Sequence, residues 1–113
     1  MNQNRNKLLD LFIGNLSNVV IHKILENAVK DKNIRSRYEK ELISSVEIAL
    51  NYRNKINPIN TKLQEKDINH IKDKIVKKVK SELKSRINKN YKNIDLNSIE
   101  TILDNYLKKL KVI

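Results

Sequence analysis

One glycine, Gly14, and one proline, Pro58, punctuate the whole chain of 113 residues. A β-sheet needs frequent tight turns, and Gly and Pro are the residues that make them. Strict two-residue alternation of apolar and polar side chains is nowhere sustained. Apolar residues recur instead at three- and four-residue intervals, the signature of amphipathic helices. The sequence therefore predicts an all-α, small single-domain helical bundle of four main helices spanning residues 1–113, joined by short loops. At this length a stable core is feasible without covalent staples.

The helices can be placed by their stripes. Leu8, Leu9, Phe12 and Ile13 share a face near the N-terminus. Between residues 18 and 30 the apolar set is Ile21, Ile24, Leu25 and Ala28, about half a turn away at ~100° per residue. Gly14 sits at this switch. The expectation is a helix end at Gly14 with positive φ, followed by a new helix capped by Ser17 with Leu16 and Ile21 as its staple. The rival arrangement is one helix through 7–30, kinked at Gly14 and buried on two sides.

The second helix carries Ile34, Tyr38, Leu42, Ser45, Ala49, Tyr52 and Ile56 on one line, widened by Val46 and Leu50. Asp31 or Asn33 can cap its start, and Pro58 requires it to stop near Asn57. "PINTKLQEKD" reads as a loop, with Thr61 and Gln64 as a capping box and Asp67 as a later cap. The third helix runs to about Asn88 with Ile68, Ile71, Ile75, Val79 and Leu83 inward. "NKNYKN" breaks it. Asn97 and Glu100 open a last helix whose face is Leu96, Ile99, Leu103, Tyr106, Leu110 and Ile113. Residues 34–56 and 68–87 are the longest helices and are expected to pack on one another.

Charge is the other constraint. The net charge is +11, and residues 72–92 hold nine basic residues against two acids. Lys74, Lys77 and Lys84 cluster opposite the apolar stripe of the third helix, with Lys78, Lys89 and Lys92 nearby. Tyr91, just beyond, is a candidate stacking ring. Positive charge beside short hydrogen-bonding side chains is what a phosphate-tracking surface looks like. A solvated helix shaped by composition looks much the same: Asn, Ile and Lys number 17, 16 and 19, as in an A/T-rich coding sequence, and lysine outnumbers arginine 19 to 5. Arginine's planar fork is the better reader of phosphates and bases, so sequence-specific recognition is not expected. Lys72 and Arg86 interrupt the apolar stripe. Their long stems can carry the charge out at the bundle edge, with Glu41 as a candidate partner. Alternatively they mark a polar seam for another subunit.

Several chemistries are excluded or weak. There is no cysteine, hence no disulfide framework and no thiolate metal site. That usage fits a reducing, cytoplasmic compartment. The N-terminus lacks the pattern of a signal peptide, no stretch approaches the ~18 apolar residues of a membrane span, and no membrane association is expected. One glycine cannot build a glycine-rich phosphate loop. His22 with Glu26, and Asp67, His70 and Asp73, have helical spacings compatible with metal ligands, but a di-iron bundle wants two Glu-x-x-His units. They read as solvated helix residues, with no cofactor and no metal. The expectation is a non-enzymatic interaction protein contacting nucleic acid non-specifically, or an acidic protein, through the basic third helix. The alternative is a structural module that forms homo-oligomers through apolar helix faces.

Overall fold

The computed structural model describes residues 5–57 and 61–113. Four helices make up the fold: α1 (Arg5–Ala28), α2 (Lys32–Ile56), α3 (Glu65–Asn88) and α4 (Ile99–Lys109), the last entered through a 3-10 turn, Leu96–Ser98. The described residues contain no strand. Pro58 lies outside them, so the expected loop is seen only from Thr61 onward.

The helix starts follow from local hydrogen bonding. Asp31 caps α2, its side chain accepting from the backbone N–H groups of Asn33 at 2.8 Å and Ile34 at 3.3 Å. Asp95, not Asn97, caps the turn into α4, accepting from Asn97 N–H at 2.9 Å. The capping box expected from Thr61 and Gln64 does not form: Gln64 precedes α3 without a side-chain bond, and Asp67 lies in the first turn, where it pairs with Arg5. At the other end of α3, Asn90 takes φ 71°, and Tyr91 N–H donates back to Arg86 C=O at 3.1 Å. This is the left-handed C-terminal closure that asparagine supports better than most residues.

α1 corrects the expectation of a break at Gly14. It is one helix of 24 residues, and Gly14 has no positive φ. Ser17 caps nothing; it is fully buried, and its Oγ donates to Ile13 C=O at 2.7 Å, one turn back. The apolar stripe changes face because this helix is covered on several sides. Leu8, Leu9, Phe12, Ile13 and Leu16 are buried, and so are Val19, Val20, Ile21, Ile24 and Leu25. By length and composition α1 is also long and apolar enough to cross a membrane, which the sequence expectation missed. Most of that stretch is buried inside the bundle.

The other helices arrange themselves around α1. Asn15 Nδ2 donates to Ser45 C=O at 2.6 Å and His22 Nε2 lies 3.6 Å from Glu41 Oε2, so α2 runs antiparallel to α1. Arg5 meets Asp67 and Gly14 lies beside Lys78, so α3 runs parallel to it. α4 returns along α3, joined by Lys72 Nζ and Asp104 Oδ1 at 3.1 Å. α2 and α3 are not the main packing pair that the sequence leads one to expect. Both pack chiefly on α1. α2 therefore buries only Ala49 and Arg53 completely, leaving Tyr38, Leu42, Val46 and Leu50 half-buried. The α3 stripe is deeper: Ile71, Ile75, Val79 and Leu83 are wholly enclosed.

Arg53 closes one end of the bundle. It is fully buried, and its partners are carbonyl oxygens. Its Nε donates to Leu110 C=O at 3.0 Å, and Nη2 to Thr61 C=O at 2.7 Å and Lys111 C=O at 2.8 Å. Nη1 donates to the side-chain and backbone oxygens of Asn57. The C-terminal ends of α2 and α4 converge here, and each presents unpaired carbonyls and a partial negative pole. One guanidinium serves both. Desolvation lowers its pKa.

Candidate nucleic-acid interface

Lys74, Lys77, Lys78, Lys84, Lys89, Tyr91 and Lys92 are all exposed. They do not form one surface. Lys74, Lys77 and Lys84 project away from the buried stripe of α3, at ~100° per residue. Lys77 leans on Asp73, one turn back, at 3.2 Å. Lys84 borders a shallow groove of about 390 Å³ shared with Lys80, Asn97 and Glu100. Lys78 belongs to the other flank, where its Nζ lies 3.8 Å from the place a Cβ on Gly14 would occupy. Lys89 and Lys92 follow the end of the helix.

Tyr91 is 47% exposed, but one side of its ring is taken: the Arg86 guanidinium sits over it at 5.7 Å. A base stacking on Tyr91 must use the other face or displace the cation.

The two charges within the apolar stripe reach the bundle edge, with partners other than Glu41. Lys72 pairs with Asp104 on α4. Arg86 approaches Glu82 at 3.5 Å, while its Nε is buried without a hydrogen-bond partner. Glu41 faces His22 instead. The second histidine, His70, borders a cleft of about 480 Å³ with Arg5, Asp10, Lys66 and Asp67. Asp67 is held there by Arg5 through both carboxylate oxygens, and that hydrogen bonding pulls its pKa down. Among the described residues no group of three His, Cys, Asp or Glu could hold a metal ion.

Arg53 and the α1–α3 cleft were not legible from periodicity. Arg53 follows Ala49 by one turn on the α2 stripe, which is the only local signal. Its acceptors come from segments distant in sequence. No family model matches this chain, and no curated protein or solved structure does either.

Proposed function

We propose that this protein is a small basic binding module that contacts nucleic-acid phosphates non-specifically through the outer face of α3. The observation that carries the reading is the row Lys74, Lys77 and Lys84 on the side of α3 opposite its buried stripe. Among the described residues, only Lys77 of the three has a carboxylate partner. Fixed to a rigid helix, these ammonium groups meet a phosphate backbone as point charges without reading bases. His70, Ser81, Ser85 and Asn88 share that face and supply hydrogen-bonding groups.

The test is a salt-dependent titration of labelled DNA, RNA and an acidic polypeptide. Binding is expected to weaken steeply with salt and to be indifferent to sequence. Replacing Lys74, Lys77 and Lys84 with glutamine should lower affinity for all nucleic acids alike. It should also flatten the slope of log affinity against log salt by about 0.7–0.9 for each phosphate no longer neutralised. No binding to DNA or RNA at low salt, where the attraction is strongest, ends this reading. Binding to the acidic polypeptide alone assigns the face to a protein partner.

A second reading has its own observation. Ile34, Ile43 and Ile48 on α2 are 43%, 62% and 45% exposed, and α2 has α1 as its main neighbour. Ile34 and Ile48 lie within ~40° of each other around the helix, with Ile43 on the opposite side. Pairing of α2 with another copy through the first two is the structural alternative, and sedimentation equilibrium tests it directly.

A further inference from the structure

The flank of α3 that faces α1 holds a separate cleft, of about 190 Å³, walled by Asn18, Ile21 and His22 from α1 and by Lys78, Glu82 and Arg86 from α3. Its volume is several times the ~30 Å³ share of a water molecule. A compact oxyanion fits such a space.

The donor set points the same way. Lys78 has no ion-pair or hydrogen-bond partner among the described residues, unlike Lys72 and Lys77 on the same helix. Arg86 Nε and His22 Nδ1 are shut off from solvent and unpartnered. Buried polar atoms normally have partners, and a bound anion would supply one to each of these donors. Glu82 is the one acid in the wall. It approaches Arg86 at 3.5 Å with its side chain 51% exposed, well beyond the ~2.7–2.9 Å of a charge-assisted hydrogen bond. The guanidinium rests on the Tyr91 ring at 5.7 Å, which leaves its Nε without a hydrogen-bond acceptor. Asn18 adds an amide, and the His22 tautomer that carries its proton on Nδ1 adds an N–H.

Gly14 lies one turn before Asn18 on the same side of α1. Packing does not require glycine there: an added Cβ would meet only Lys78 Nζ, at 3.8 Å, an ordinary contact. Glycine within a helix is nonetheless costly relative to alanine. Its absence of a side chain leaves the helix backbone bare beside the lysine, as sites for closely approaching ligands often do.

We infer that the α1–α3 cleft binds one phosphate group, either free phosphate or the end of a phosphomonoester, through Lys78, Arg86 and Asn18. This site is distinct from the outer face of α3 and does not depend on nucleic-acid binding there.

The experiment is an NMR titration of the whole chain, following Arg86 Nε–H and the Asn18 amide. Sodium phosphate is compared with sodium chloride at equal ionic strength. A saturable shift in phosphate alone is expected. Lys78→Met should weaken it about tenfold, the worth of one charge-assisted hydrogen bond. Arg86→Gln should abolish saturation at Asn18, and Lys108→Gln, at an exposed position on α4, should change nothing. Should Arg86→Gln unfold the protein, as judged by circular dichroism, Lys78→Met decides, since Lys78 is exposed. Short oligonucleotides with a 5′-phosphate or a 5′-hydroxyl separate the sources. A response to the phosphorylated one alone shows that the site takes phosphomonoester ends. A response to inorganic phosphate but to neither oligonucleotide assigns it to the free anion. Shifts equal in chloride, or unaffected by Lys78→Met, overturn the proposal. That failure would leave salt-dependent binding at Lys74, Lys77 and Lys84 untouched, so the two readings fail separately.

Discussion

Arg53 shows how much one side chain can organise when it is both buried and fully hydrogen-bonded. Its guanidinium ties the end of α2 to Thr61 and to the carbonyls of Leu110 and Lys111. An unpaired buried charge costs several kcal/mol, but here the N–H groups meet oxygens at two helix ends. Replacing Arg53 with methionine keeps much of the volume and orphans those oxygens. The expected cost is about 3 kcal/mol or more in urea denaturation, since each buried unsatisfied acceptor costs roughly 1–3 kcal/mol. A loss below about 1 kcal/mol would mean that water takes over the guanidinium's role. None of this was legible in the sequence, because an arginine on a charged helix looks solvated until its distant acceptors are known. Gly14 misled in the opposite direction. A glycine at a change of apolar face reads as a break, yet the same pattern arises when one helix is enclosed on several sides. With helical backbone and only an ordinary contact awaiting a Cβ, Gly14→Ala should stabilise by about 0.5–1 kcal/mol. A destabilisation would restore the break.

Among the elements, α1 sets the order of importance. The stripes of α2, α3 and α4 were legible because each of those helices has a wet side, and periodicity reports the boundary between wet and dry. Which helix sits centrally is a different matter, decided by α1 having apolar residues on more than one face. α2 and α3 accordingly pack chiefly on α1 and not on each other. Leu16 and Val79 are wholly buried, whereas Leu42 is half-buried. Leu16→Ala should cost about 2–5 kcal/mol, and Leu42→Ala distinctly less. Equal losses would contradict the central placement of α1. The join between α1 and α3 has a pH signature. Hydrogen bonding from Arg5 lowers the folded-state pKa of Asp67. A depressed carboxylate pKa adds stability that is fully present above the unfolded pKa, roughly 3.9, and is lost as pH falls through the folded value. Stability should thus be insensitive to this pair from neutral pH down to about 4 and decline below it. Asp67→Asn should be less stable at pH 7 and show a shallower acid decline. An unchanged acid slope would mean the pair contributes nothing.

At the scale of the whole molecule, charge ties stability to function. The all-α class was legible from the scarcity of Gly and Pro, and the net charge from composition. Neither says whether the charge is used. A chain of net charge +11 folded into 44 × 24 × 23 Å brings cations within reach of one another at low ionic strength, where the Debye length is ~30 Å at 0.01 M. At 0.15 M it falls to about 8 Å and much of the repulsion is screened. The same salt weakens the ion pairs Lys77–Asp73, Arg86–Glu82 and Lys72–Asp104, but these have partly or largely exposed side chains. Such pairs are worth about 0–1 kcal/mol each. Repulsion among many lysines should outweigh them, so the melting temperature should rise between about 0.01 and 0.15 M NaCl. A fall over that range would show that the ion pairs dominate. Binding to nucleic acid should move the other way, weakening as salt rises because each counterion released on binding gains less entropy in a saltier solution. The two measurements belong together: if the protein grows more stable while its affinity drops, salt has weakened its hold on phosphates and left its fold intact.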